Sequence, residues 1–280
     1  MRTVRGLATL DPVEVGDHVC WLVGPGEDFS GTARAFTAHG ALVGDKVLIL
    51  GSVGADEPGP EPAVRDVSGR GGADPLFDLG AGTAHEDPRQ SLLGRVRREA
   101  EAASREGFRA LRVLARWDRP SWGDAGPGAA ARHELTLDAM VALGGTIVVC
   151  AYHRTGFSAA TLDTVAGVHP LHLGTGAVGP SFRLFSAGTT DCWSVSGLVD
   201  TEGAAAFGTA LRELLTQCGT VRLDCEKLEW MDAAGMTALA RSARDLPGRR
   251  VVLDRANETV RRVWDLLGYD SPLIRVELGP

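Results

Sequence analysis

The chain has 280 residues, 44% of them hydrophobic and 23% charged, with a net charge of -7; this length exceeds one ordinary domain, so two cores are expected. No stretch approaches the roughly 18 consecutive apolar residues of a membrane-spanning helix, and Met1-Arg2-Thr3-Val4-Arg5-Gly6-Leu7 lacks the apolar run of a secretory leader, so a cytoplasmic chain with no membrane partner is expected. The acidic balance disfavours nucleic acid, whose phosphates attract a basic face; Arg95, Arg97, Arg98 and Arg105 read as a solvated helix face.

In chain order, His18 to Val23 is a short β-rich run ended by Gly24-Pro25-Gly26, and Gly31 to Val43 has helical spacing. Asp45 to Val53 holds the apolar run Val47-Leu48-Ile49-Leu50, as in a buried parallel strand. Residues 55–75, rich in Gly, Pro, Asp and Arg, predict a loop or insertion, and Leu76 to Ala84 a short strand. Pro88 to Glu106 predicts a helix stopped by Gly107, Ala110 to Trp117 a strand, Ala129 to Leu143 a helix and Thr146 to Tyr152 the clearest buried strand. Ser158 to Ala166 is a short helix and His169 to Leu173 a closing strand. This alternation predicts a parallel sheet covered on both faces.

Gly174 to Pro180 reads as a linker between domains 1–174 and 181–280, each expected to fold independently. Beyond it, Phe182 to Phe185 and Trp193 to Val199 read as strands. Thr201 to Cys218 reads as a helix capped by Asp200 or Thr201, and Thr220 to Cys225 as a strand. Asp232 to Leu246 and Asn257 to Leu267 predict helices, with strands at Arg249 to Asp254 and Leu273 to Leu278.

Gly26-Glu27-Asp28-Phe29-Ser30-Gly31-Thr32 has the glycine frame of a phosphate-binding loop between strand and helix. The lysine that should follow Gly31 is replaced by Thr32, and Glu27 and Asp28 put negative charge where phosphates would sit. The loop therefore reads as a degenerate P-loop at Gly26, Gly31 and Thr32, with a nucleotide-binding switch or enzyme as the rival reading.

Leu223-Asp224-Cys225 followed by Trp230-Met231-Asp232-Ala233-Ala234-Gly235-Met236 is a strand, a loop and a helix start. With Arg250 to Leu253 and the helix through Val260, Trp264 and Leu267, it resembles the STAS domain of anti-sigma-factor antagonists and anion-transporter tails over about Ser181 to Glu277. That resemblance implies a small α/β domain with a mixed sheet, and a partner-binding face at Asp232, Ala233, Ala234, Gly235 and Met236. Similar antagonists carry a phosphorylatable serine after the aspartate; here Ala233 has no hydroxyl, so phosphate cannot act as the switch at this position. Asp232 can equally be a helix N-cap, and both roles can hold.

Asp17-His18-Val19-Cys20, Val148-Val149-Cys150-Ala151-Tyr152-His153-Arg154 and Val168-His169-Pro170-Leu171 resemble the MEDS sensory family over about Leu10 to Leu173. The resemblance implies a RecA-like parallel-sheet domain without a working P-loop, proposed to sense small hydrocarbon-like molecules. Trp117, Trp122 and Tyr152 fall at strand ends or in the following loops, where α/β sheets bind ligands, and with His18 they are candidate ligand contacts; core packing is the competing reading.

No nucleophile elbow is present, and the His, Cys and Glu residues are dispersed along the sequence, so neither catalytic residues nor a metal or other cofactor is expected. Cys20, Cys150, Cys192, Cys218 and Cys225 read as reduced thiols. The expected function is a non-enzymatic bacterial regulator: a sensor that takes a small molecule, joined to a module that binds a regulatory protein such as an anti-sigma factor. A scaffold or homo-oligomer former is a further alternative.

Overall fold

Four runs with no polar alternation, centred on Val19, Leu48, Val113 and Val149, form the middle of a sheet buried on both faces. The structure is a computed structural model that describes residues 2, 4–50, 63–66, 77–78, 88–117, 126–174, 181–189, 191–269, 271 and 273–279. Most of the loop expected at 55–75, Trp122 and the linker after Gly174 lie outside those residues.

The first domain runs β1 (Arg5–Leu7), β2 (His18–Val23), α1 (Phe29–Leu42), β3 (Lys46–Leu50), β4 (Ala63–Asp66), β5 (Phe77–Asp78), α2 (Pro88–Glu106), β6 (Leu111–Trp117), α3 (Gly126–Ala142), β7 (Thr146–His153), a 3-10 turn (Arg154–Gly156), α4 (Ala159–Gly167) and β8 (Leu171–Leu173). Its sheet order is β1-β8-β2-β7-β6-β3-β4-β5. The pairs from β1 to β3 are all parallel, while β4 and β5 add an antiparallel edge. Strand β1 was not expected; it is three residues long and gains its place by pairing Arg5 to Leu7 with Leu171 to Leu173.

The second domain runs β9 (Phe182–Ser186), β10 (Cys192–Val199), α5 (Ala204–Gln217), β11 (Thr220–Met231), α6 (Ala233–Arg244), β12 (Arg250–Asp254), α7 (Glu258–Leu266) and β13 (Val276–Leu278). Its sheet order is β13-β12-β11-β10-β9, with β9 antiparallel to β10 and the other pairs parallel. The expected α/β class with a parallel first sheet and a mixed second sheet therefore holds.

Two elements differ from the sequence expectation. Strand β11 continues to Met231 instead of stopping at Cys225, because two bulges each add a residue on β11 against β10. Buried positions consequently run Val221, Leu223, Cys225, then Leu228 and Met231, and the period of two is lost after Cys225. Helix α5 begins at Ala204, not Thr201, because the Asp200 carboxylate accepts from the Gly203 backbone N–H and folds the entry into a turn.

The two sheets share a packed boundary. Ala131 and Leu135 of α3, with Val168 after α4, join the core of the second domain around Phe182, Leu184, Phe207 and Leu211. Ala130, Leu137 and Val141 of the same helix pack in the first domain's core. Helix α3 is thus buried on both sides. Gly167 permits the approach: a Cβ there would lie 2.5 Å from Phe182 Cζ.

Candidate functional site

Strands β2 and β7 lie side by side in parallel register, with Cys20 opposite Cys150. Helix α3 crosses them and carries Glu134 and Asp138 one turn apart on the same face. His169, between α4 and β8, closes the group from the far side. All four of His18, Glu134, Asp138 and His169 are fully buried, and so is Cys150.

Glu134 is the hub. Its Oε2 lies 3.1 Å from His18 Nε2 and 3.3 Å from His169 Nε2, and it accepts from the Cys150 thiol at 3.3 Å. Its Oε1 accepts from the Tyr152 hydroxyl. The His18 and His169 rings are 4.0 Å apart and tilted by 37°. Asp138 is the second hub: it lies 3.1 Å from His18 Nδ1, pairs with Arg2 at 2.7 Å and accepts from the Ser186 backbone N–H at 2.6 Å.

Burial alone would lift both carboxyls, yet the surrounding imidazoles hold Glu134 well below the usual carboxylate range, and His18 with Arg2 holds Asp138 below it. Burial works against a charge on His18 as well, but Asp138 and Glu134 outweigh it and raise His18. His169 goes the other way, lowered by burial and by the neighbouring His18. The Cys150 thiol is pushed up by burial and by Glu134.

The structure brings His18 and Tyr152 together on Glu134. Trp117 stands one layer out, its ring centroid 6.3 Å from that of Tyr152 and 5.6 Å from that of His133. Trp122 lies outside the described residues. Both His18 and Tyr152 are at 0% exposure, so they do not wall an open pocket. The expectation that potential ligands are dispersed is overturned: four of them converge, because residues far apart in sequence occupy adjoining strands and one covering helix. Glu134 was not singled out, and His169 was named only within the motif Val168 to Leu171 and not as a ligand. An acidic pair at i and i+4 on a helix otherwise rich in Ala and Leu was the available signal for Glu134 and Asp138.

An open pocket of roughly 510 Å³ lies at the C-terminal ends of β2 and β8, lined by Leu10, Trp21, Glu27, Thr32, Phe36 and Arg154 among others. The glycine-rich loop borders it. There Asp28 caps α1 by accepting from the Gly31 N–H at 2.8 Å, and Glu27 accepts from the Trp21 indole at 3.0 Å. A Cβ at Gly31 would sit 2.0 Å from the Asp28 carboxylate, so the glycine of the supposed phosphate frame serves this cap. The helix N-terminus already holds an anion of its own.

In the second domain Asp232 caps α6, accepting from the Gly235 N–H at 2.9 Å and from the Thr201 hydroxyl at 3.1 Å. Gly235 lets the helix approach β10: a Cβ there would meet the Val199 carbonyl oxygen at 2.5 Å. Ala233 is exposed and Asp232 and Ala234 are half-buried, whereas Gly235 and Met236 are buried. The outward face of the expected partner-binding segment is therefore Asp232 to Ala234, and Met236 belongs to the core. Leu198 and Trp230, in register on β10 and β11, add exposed apolar surface at 37% and 41%.

The family described as MEDS, MEthanogen/methylotroph, DcmR Sensory domain, matches residues 17–170, more than half of the chain. A second family, described as Mlab, STAS domain, matches residues 186–276. Among solved structures, the anti-sigma factor antagonist SpoIIAA in its unphosphorylated form is 21% identical, covering 30% of this chain and 82% of its own, with a TM-score of 0.26. No curated protein matches. The two families define the class, a signalling regulator in which a sensory domain precedes a STAS domain. The chain belongs to the MEDS family. Among the described residues no helix is long and apolar enough to cross a membrane.

Proposed function

We propose that the chain is a non-enzymatic regulator whose first domain senses a small molecule and whose STAS domain binds a regulatory protein of the anti-sigma-factor type. The observation that carries this reading is the joint at Asp138. One carboxylate holds His18 of the sensory sheet, Arg2 of the N-terminal segment and the Ser186 backbone of the first STAS strand. Because α3 is packed on both sides, a shift of its position has to be taken up by β9 and α5. Sensing in the first domain is thereby passed to the second as a movement of packed elements. The pocket lined by Leu10, Asp11, Trp21, Glu27, Thr32 and Arg154 has room for a small ligand of mixed polar and apolar character. The partner face is Asp232 to Ala234 with Leu198 and Trp230 beside it, small at the helix start and apolar at the strand ends. With alanine at position 233, docking there does not depend on a Ser/Thr kinase acting on that residue.

The test is capture from the native cell with the full-length chain as bait, wild type beside Trp230→Ala and Ala233→Asp. A sigma-regulating protein retained by the wild type and lost from both variants supports the reading. Retention by all three, or recovery only of additional copies of the chain, rejects it in favour of another face or of a self-assembling scaffold.

A further inference from the structure

The buried cluster around Glu134 contains a geometry that hydrogen bonding does not explain. His169 Nδ1 lies 2.6 Å from the Val165 carbonyl oxygen. A carbonyl only accepts, so Nδ1 carries the hydrogen. In the neutral ring Nε2 is then a bare lone pair. It is fully buried, has no hydrogen bond of good geometry, and faces Glu134 Oε2 at 3.3 Å. Two lone pairs held that close in a water-free interior repel unless a positive charge lies between them.

His18 has the matching arrangement. Asp138 holds its Nδ1 and turns Nε2 toward the same Glu134 oxygen. Cys150 Sγ completes the group, 3.6 Å from His18 Nε2 and 3.3 Å from Glu134 Oε2. All four atoms lie within 4.8 Å of one another.

We propose that His18 Nε2, His169 Nε2, Glu134 Oε2 and Cys150 Sγ bind a divalent transition-metal ion, zinc by the chemistry of the donors, as a buried structural or regulatory centre. Tetrahedral zinc, with bonds of about 2.0 to 2.1 Å to nitrogen and oxygen and about 2.3 Å to sulfur, sets its ligand atoms roughly 3.3 to 3.6 Å apart. Four of the six separations, 3.1, 3.3, 3.3 and 3.6 Å, lie close to that range, and the other two are within 4.8 Å. A thiolate and a carboxylate together balance a divalent cation, so the loaded centre is neutral where a net charge would be costly. The Cys150 thiol and His18 Nε2 give up their protons to solvent as the ion enters, while His169 Nε2 has none to lose.

The surrounding contacts suit the same role. Metal-bound histidines donate their other ring N–H to a carboxylate or a carbonyl, as His18 does to Asp138 and His169 to Val165. Tyr152 donates to the remaining oxygen of Glu134 and fixes the carboxylate's orientation. Four protein donors leave no open position, which marks a closed site and not a Lewis-acid centre for substrate. A metal-free network centred on a doubly protonated His18 accounts for Asp138 and Glu134 but leaves His169 Nε2 facing a carboxylate. Protonating His169 too would set two cationic rings 4.0 Å apart.

The experiment uses the full-length chain, produced with added Zn²⁺ and, separately, refolded with Co²⁺. Elemental analysis should find about one zinc per chain, and the cobalt form should show intense tetrahedral d–d bands with a thiolate-to-cobalt charge-transfer band. Cys150→Ser should remove the charge-transfer band, and His169→Gln should lower metal content at least tenfold, with the circular dichroism of each compared with wild type. If either variant fails to fold, the wild-type cobalt spectrum decides: a tetrahedral spectrum with one thiolate supports the site, and an octahedral, thiolate-free spectrum overturns it. A folded wild type below about one-tenth of an ion per chain under both loadings, or folded variants that keep full occupancy, also overturns it. Partner capture is a separate readout, so failure here leaves the regulatory reading standing.

Discussion

The carboxylate of Asp138 accepts a hydrogen bond from the backbone N–H of Ser186 at 2.6 Å, across the boundary between the two domains. Asp138 is fully buried on α3, and its other partners are His18 and Arg2, so one side chain ties the sensory sheet, the N-terminal segment and the first STAS strand.

Asp138→Asn keeps the shape and removes the charge that Arg2 and His18 face. Leaving Arg2 without its counter-ion and His18 with Glu134 alone should lower unfolding free energy by about 3 kcal/mol, the usual cost of breaking a buried pair from one side. Urea denaturation checks it. A midpoint equal to wild type would mean that the joint carries no energy.

Gly167→Ala places a methyl group 2.5 Å from Phe182 Cζ, closer than atoms tolerate. Overpacking should cost about 1 to 3 kcal/mol. Pairing it with Phe182→Leu, which makes room, should recover part of that loss, and a double-mutant cycle measures the coupling. Strict additivity would show that the boundary relaxes elsewhere.

Cutting the chain before Ser181 removes Ala131, Leu135 and Val168 from the core that surrounds Phe182 and Phe207. The isolated fragment 181–280 should therefore unfold at clearly lower denaturant than the same sheet within the full chain, by an amount comparable to one or two large-to-small core changes of about 2 to 5 kcal/mol each. Equal midpoints would support the independence that the glycine-rich linker suggested.

Ala233→Asp adds a second carboxylate beside Asp232 at the proposed partner face. In the first turn of α6 an acid is favourable by about 0.3 to 1 kcal/mol, so the fold should be unharmed. Affinity for the captured partner should fall about tenfold, close to 1.4 kcal/mol for an unpaired interfacial charge. Isothermal titration of both forms gives the answer, and equal affinities would return Asp232 to a plain helix cap.

Nucleotide turnover should stay at background, because Asp28 occupies the N-terminus of α1 and Thr32 stands where a lysine would grip phosphate. Phosphate release from ATP and GTP is the assay. A rate above background that disappears in Thr32→Ala would revive the enzyme reading.

The sequence by itself determined the elements whose signal is local. The apolar run at Val47 to Leu50 became a fully buried strand, and helices stopped at or near Gly107 and Gly268 because each adopts a positive φ. Asp232 and Asn257 both became helix caps, and the STAS and MEDS segments were legible from their motifs. The tertiary structure alone decided the rest. Strand β1 exists only because β8 offers it an edge, and β11 runs on to Met231 only because two bulges keep it paired after its alternation fails. The convergence of His18, Glu134, Cys150 and His169 belongs to the same class. Burial periodicity records which face of an element is covered but not what covers it. His18 and Cys150 are 132 residues apart and meet because β2 and β7 are neighbours in the sheet order. Glu134 meets both only because α3 packs over those strands in the first domain's core.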